Sequence, residues 1–125
     1  MSLEMYQEQI IERYRNPVNI GTVENPDATA KDYNPSCGDD VEIQIKFDND
    51  VIRDIKFQGH GCAISQSSTD LLMDLVKKKN VKETQNITKE MFLEKVGIPF
   101  SPLRLKCALL GFKVFKLALY SYLGK

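Results

Sequence analysis

The middle of the chain alternates between apolar and polar residues. From residue 41 to residue 47, valine, isoleucine or phenylalanine occupies every second position, which predicts a strand with one buried face. Residues 48–50 form a polar turn, and residues 51–57 are predicted to return as the partner strand of a hairpin. A short first strand is predicted from residue 28 to residue 33.

Helical spacing of apolar residues marks the segments on either side of this hairpin. Residues 6–14 predict a first helix, which the Pro- and Gly-containing residues 16–21 end. A second helix is predicted from Ala63 to the lysine run of residues 77–79, whose solvated charges would complement the helix dipole. The residues expected on its buried face are Ile64, Leu71, Leu72, Leu75 and Val76.

Two more helices are predicted in the last third of the chain. Thr88 can cap a short helix that ends at Val96, with Gly97 as its terminator. Ser101 as N-cap and Pro102 at the first helical position open the last helix. The residues expected to form its buried face are Leu105, Leu109, Val114, Leu117 and Ala118.

The order of these elements indicates the fold class. Strands come before most of the helices, which is typical of an α+β fold: a small antiparallel sheet of about three strands packed against several helices. With 125 residues and 42% hydrophobic content, the chain is predicted to form a single domain spanning residues 1–125.

Composition excludes several classes of partner. Seventeen basic and seventeen acidic residues cancel, and no basic stripe with interleaved aromatics suggests nucleic acid binding. Lysines interrupt the apolar runs well before the ~20 residues that cross a bilayer. The charged N-terminus differs from a secretory signal, so we expect a cytoplasmic protein that does not bind membranes.

The three cysteines are the candidate chemistry of this sequence. Their odd number argues against a disulfide framework. Cys37 lies in a polar turn, Cys62 follows a glycine-rich segment, and Cys107 lies near a predicted helix start after two cations. These surroundings favour thiolates and suggest a shared metal or sulfur site. The alternative is that all three are small buried apolar residues.

Two further residues beside the cysteines could bind a metal. Asp39 is the natural oxygen ligand to accompany three sulfurs, and the alternative is a carboxylate that stabilises a turn. His60, the single histidine, lies two residues before Cys62. For His60 a turn position or a hydrogen bond to a ligand is favoured over direct metal binding.

Four motifs together resemble one protein family. The chain is similar over nearly its whole length to the IscU, SufU and NifU N-terminal family of iron–sulfur cluster assembly scaffolds. The motifs that carry this resemblance are residues 16–21, 35–39, 61–68 and 104–107.

The resemblance implies roles for the candidate residues. Cys37, Cys62 and Cys107 would accept persulfide sulfur and bind the nascent cluster, with Asp39 as a labile fourth ligand. The expected metal groups are a transient iron–sulfur cluster, [2Fe–2S] in preference to [4Fe–4S], and Zn²⁺ in the cluster-free form.

The resemblance also implies partners. They are a cysteine desulfurase that supplies sulfur and downstream proteins that accept or carry the cluster, with the chain itself a monomer or weak dimer. Such a protein is a scaffold rather than an enzyme, although a sulfurtransferase role would also fit.

The chain departs from the family pattern beside its last cysteine. Lys106 stands where IscU-type members have histidine, whereas Arg104 resembles the SufU type. Arg104 would share a helix face with Cys107, favour its thiolate and pair with Asp39. Lys106 is rotated by about 100° and is expected to face solvent or a partner. The LPPVK motif by which IscU binds its chaperone is absent.

Two other functions remain open on this sequence. The first is a zinc-bound, SufU-type protein that accepts persulfide sulfur without building a cluster. The second is a small interaction domain that zinc stabilises and that carries no sulfur.

Overall fold

The computed structural model describes residues 2–35 and 38–124. Within these ranges the chain forms three strands and five helices. In chain order they are α1 (Leu3–Arg15), β1 (Ala28–Asn34), β2 (Asp39–Asp48), β3 (Val51–His60), α2 (Ala63–Val76), α3 (Val81–Gln85), α4 (Lys89–Val96) and α5 (Pro102–Leu123).

The three strands form one antiparallel sheet in the order β1-β2-β3. Asn49 and Asp50 connect β2 to β3 with φ angles of 51° and 62°, the left-handed conformation that Asn and Asp tolerate in tight hairpins. The predicted α+β class and its three-stranded antiparallel sheet are confirmed.

The alternating residues of β2 build the core as predicted. Val41, Ile43 and Ile45 are fully buried on one face of the sheet. α5 packs across β1 and β2, and α2 packs against β3 and α5. The helices therefore cover one face of the sheet, which leaves its other face to polar residues such as Glu42.

The predicted starts of α4 and α5 are confirmed. The side chains of Thr88 and Ser101 accept hydrogen bonds from the first turns of α4 and α5, and Gly97 ends α4 at φ 80°. The short helix α3 was not predicted. Its signal was Asn80, whose side chain accepts from the Glu83 backbone N–H at 2.8 Å and caps the helix.

The predicted buried face of α5 was wrong at Leu117, which is 43% exposed. Leu117 is rotated about 100° from the centre of the face that Val114, Phe115 and Ala118 bury. Val114 and Ala118 are buried as expected.

The central helix α2 buries polar residues that the sequence pattern did not predict. Leu72 and Val76 are fully buried as expected, but so is the carboxylate of Asp70. α1 lies along one side of α2 and α5 along another, so little of the α2 surface remains for solvent. Gly111 lets α5 approach closely, because a Cβ there would collide with Thr69.

Asp70 attaches the N-terminal segment to this core. Its carboxylate accepts hydrogen bonds from the backbone N–H of Asn19 at 2.9 Å and from Arg13 Nη1 at 2.7 Å. Arg13 also pairs with Asp74 at 2.8 Å. Burial tends to raise the pKa of Asp74, but hydrogen bonds from Asn19 and Arg13 outweigh it and lower the pKa. Because α1 has no fully buried residue, this polar contact and the partly buried Ile10 together attach it to the core.

We expect Asp70→Ala to destabilise the protein by about 3 kcal/mol, since it leaves the buried backbone N–H of Asn19 without its acceptor and removes one of the two carboxylates that pair with Arg13. Urea unfolding followed by circular dichroism measures this, with Glu94→Ala on exposed α4 surface as the control. Equal unfolding midpoints for the two variants would contradict the anchoring role.

Candidate metal centre

Cys62 lies where the sheet meets α2, as the sequence predicted. β3 ends at His60, and Cys62 adopts an extended backbone (φ −72°, ψ 169°) as the N-cap of α2. Its Sγ accepts from the Ser65 backbone N–H at 3.5 Å. The N-terminal end of a helix stabilises negative charge, so this position suits a thiolate. The Cys62 side chain is accessible to solvent.

Asp39 reaches Cys62 from the neighbouring strand. It is the first residue of β2 and is 2% exposed. Its Oδ1 accepts from the Cys62 backbone N–H at 3.0 Å, and its Oδ2 lies 3.5 Å from Cys62 Sγ, which donates when protonated. The hydrogen bond from the backbone holds the carboxylate beside the thiol.

Cys107 completes a compact group of ligand atoms. It lies in the second turn of α5 and is 4% exposed. One ligand atom each of Asp39, Cys62 and Cys107 lies within 4.8 Å of the other two. Two sulfurs and a carboxylate oxygen this close suit zinc or iron bound by thiolates. This is the donor set that the sequence suggested for these three residues.

Cys37, the fourth predicted ligand, lies outside the described residues. Its described neighbours belong to the same end of the sheet, where Asn34 pairs with Asp39 in the β1–β2 register. The Asn34 carbonyl accepts from the Gly38 backbone N–H at 2.8 Å. Sequence reasoning did not single out Asn34, although Pro35 and Gly38 predict a turn closed by such a bond.

Gly61 has a specific role that the sequence did not reveal. In the structure a Cβ at Gly61 would lie 2.8 Å from Asp39 Oδ1, which is too close for any carbon. Glycine is therefore needed so that the Asp39 carboxylate can reach Cys62.

His60 lies apart from the three clustered ligand atoms. Its side chain is 93% exposed, and its Nδ1 lies 3.5 Å from Asp40 Oδ1. Asp40 Oδ1 also accepts from the His60 backbone N–H, so this pair closes the end of the β2–β3 ladder. Neither residue belongs to the described group of three ligands.

Arg104 and Lys106 are both exposed near Cys107. Within the described ranges, the Arg104 guanidinium forms no ion pair, and the pairing with Asp39 suggested by the sequence is not among the contacts observed. Lys106 borders an open cavity of about 290 Å³ between β1 and α5, which Tyr33, Pro35 and Lys113 also line. The roles predicted for both cations remain predictions.

The chain matches the family described as the NifU-like N terminal domain over residues 5–125. It is 34% identical to the iron–sulfur cluster assembly scaffold protein IscU of Aquifex aeolicus, over 100% of this chain and 80% of that protein. It is 32% identical to the Escherichia coli scaffold protein of the same name, over 96% of this chain and 95% of that one.

Solved structures share the fold. A Fervidobacterium islandicum protein, described as a candidate iron–sulfur cluster assembly scaffold for the SUF system, has a TM-score of 0.79 at 31% identity, covering 95% of this chain and 99% of that one. A NifU-like N-terminal protein of Brucella abortus, 22% identical, shares the fold with a TM-score of 0.78 over 98% of this chain and 96% of its own. The chain therefore belongs to the NifU-like N-terminal domain family, as its four motifs predicted.

Within residues 2–35 and 38–124, no helix is both long enough and apolar enough to cross a bilayer.

We expect Gly61→Ala to weaken Zn²⁺ binding by about tenfold, because the added methyl group displaces the Asp39 carboxylate from Cys62. Competition with a chromogenic chelator measures the affinity. Gly124→Ala is the matched control, since its Cβ would approach Tyr120 O no closer than 3.3 Å. If the Gly61→Ala protein is folded and binds zinc as tightly as this control, glycine is not needed at position 61.

Proposed function

We propose that this chain, acting as one domain over residues 1–125, is a scaffold on which iron–sulfur clusters are assembled and from which they are transferred. The observation that supports it most directly is the convergence of Asp39, Cys62 and Cys107 within 4.8 Å. Relatives that match nearly the whole chain carry the name of iron–sulfur cluster assembly scaffold. Cys37 is proposed as the third thiolate because it lies two residues before Asp39.

Sulfur would arrive as the persulfide of a cysteine desulfurase. A scaffold thiolate attacks the outer sulfur of that persulfide, the desulfurase S–S bond breaks, and the desulfurase cysteine leaves as a thiolate. Of the two described cysteines, Cys62 is the accessible one and Cys107 is 4% exposed. We therefore infer that the desulfurase docks over the end of the sheet where Cys62 lies.

A mixed donor set suits cargo that must leave again. Thiolates bind iron and zinc strongly, whereas a carboxylate is a harder ligand and is easier to displace. Asp39 is held by the Cys62 backbone N–H at 3.0 Å, so it has a defined position to return to when the metal departs. Downstream acceptor or carrier proteins would take the cluster, of which [2Fe–2S] is the proposed type.

Zinc is the proposed occupant of the cluster-free protein. Three thiolates and one carboxylate provide the four ligands of a tetrahedral zinc site. We expect about one zinc per chain, bound by Cys37, Asp39, Cys62 and Cys107, and a protein that zinc stabilises. We further propose a cytoplasmic monomer or weak dimer that carries sulfur rather than acting as an enzyme in the strict sense.

Anaerobic incubation with Fe²⁺, cysteine and a cysteine desulfurase tests this function. We expect visible absorbance from a bound cluster, which Cys62→Ser and Cys107→Ser diminish because each removes a thiolate ligand. Asp40→Ala is the control, since its carboxylate bonds the neighbouring strand outside the ligand group. Persulfide without a cluster would instead support the zinc-bound sulfur-transfer protein. If neither persulfide nor cluster forms, the result would favour the zinc-stabilised interaction domain.

Arg104 and Lys106 are expected to differ in effect. In a Cys37→Ser/Cys62→Ser background, which leaves only Cys107, Arg104→Ala should move thiol alkylation to higher pH, because a nearby cation favours the thiolate. Lys106→Ala should leave the profile nearly unchanged, since Lys106 is rotated away from Cys107. Arg104→Ala should also slow sulfur acceptance, whereas Lys106→Ala should leave it nearly unchanged. An Arg104→Ala profile superimposable on that of its parent would rule the role out.

A further inference from the structure

A small apolar pocket lies at the end of α2 that is farther from the cysteines. It has a volume of about 170 Å³ and opens between the C-terminal part of α2 and α4. The residues that line it are Leu75, Lys79, Ile87, Met91, Phe92 and Lys95. Thus four apolar side chains line the pocket together with two lysines.

The apolar walls combine a fixed base with one adaptable side. Phe92 is 1% exposed and stacks on Phe112 of α5 with ring centroids 5.6 Å apart, so it is held in place by the core. Leu75 and Ile87 are half-buried against the same core. Met91 is 51% exposed, and its unbranched side chain can adjust around an inserted group. This arrangement suits one apolar side chain entering from outside.

The surroundings of the pocket are positively charged. Residues 77–95 contain six lysines and three glutamates, a net charge of +3 in a chain whose total is zero. Lys78, Lys79, Lys82, Lys89 and Lys95 are exposed, and none of them forms an ion pair with a described residue. The sequence interpretation of the lysine run as a solvated helix end does not account for this wider charge around an apolar opening.

The pocket is remote from the proposed metal centre. Leu75 and Cys62 are at opposite ends of the same helix, so at 1.5 Å per residue they are separated by about 20 Å. A partner in the pocket would therefore leave the cysteines accessible to another protein.

We propose that this pocket is the docking site for an acidic segment of a partner protein, which inserts one apolar side chain while its Asp or Glu residues meet Lys79 and Lys95. Charge complementarity supports an acidic partner, and the concave shape supports a side chain rather than a lipid surface, which binds protruding apolar residues. The inference is independent of the proposed cluster-assembly function, because no residue of the metal centre takes part.

A second copy of the chain matches this chemistry less well. The exposed apolar side chains of α1 stand among three glutamates but also among Arg13 and Arg15, so the helix offers a net charge of only −1. An acidic segment of another protein complements the pocket better.

Fluorescence anisotropy with a defined probe tests the proposal on the full chain. The probe is a fluorescein-labelled helical peptide with one leucine flanked by glutamates, compared with the same peptide carrying alanine for leucine or lysine for glutamate. We expect saturable binding of the first peptide that weakens with added salt, and at least about tenfold weaker binding of the other two.

Substitutions in the chain test whether the peptide binds in this pocket. Lys79→Glu/Lys95→Glu and, separately, Met91→Glu should each weaken the first peptide by about tenfold, since they reverse the charge or block the opening. Lys31→Glu/Lys56→Glu, on the opposite face of the sheet, is the charge-matched control and should bind within about twofold of wild type. Zinc content should be unchanged in all variants, which separates this test from that of the metal centre.

Several outcomes would overturn the proposal. They are no saturable binding of the leucine–glutamate peptide, equal binding of the alanine peptide, and variants of the pocket that bind as the control does. Binding to anionic phospholipid vesicles that the same variants abolish, with no peptide binding, would assign the surface to membranes. Self-association in sedimentation that these variants abolish, with no peptide binding, would assign it to a second copy.

Discussion

The hydrogen bond from the Cys62 backbone N–H to Asp39 Oδ1, at 3.0 Å, is the contact around which the candidate metal centre is organised. It joins the first residue of β2 to the N-cap residue of α2, so it links the hairpin to the helix that follows. The buried Asp39 carboxylate accepts this hydrogen bond, which offsets the cost of removing the carboxylate from water. The same bond sets the distance between an oxygen and a sulfur ligand.

The antiparallel hairpin makes that contact geometrically available. Because β2 and β3 run in opposite directions, the start of β2 and the end of β3 lie at the same end of the sheet. α5 packs on β1 and β2 and brings Cys107 to this end of the sheet from a remote part of the chain. Gly61 and Gly111 are the positions where side chains would prevent these approaches. The ligand group thus depends on the packing of three separate elements.

Helix α2 connects the proposed metal centre to the lysine-rich surface at its other end. Cys62 caps its N-terminal end, where the helix dipole favours an anion, and the lysines of residues 77–79 follow its C-terminal end, where it favours cations. Between them, buried Asp70 holds Arg13 and the segment after α1. A single helix therefore separates an anionic ligand site from a cationic surface by about 20 Å.

The local pattern of the sequence predicted the strands, four of the helices and the caps of α4 and α5, because period-two alternation and residues such as Thr88, Gly97 and Ser101 act through near neighbours. It also predicted Asp39, Cys62 and Cys107 as ligands, although only packing across distant segments could bring their atoms within 4.8 Å. Tertiary structure alone decided the burial of Asp70, the exposure of Leu117 and the need for glycine at position 61. Each of these depends on which surface a remote element covers, and neither side-chain periodicity nor local turn chemistry contains that information.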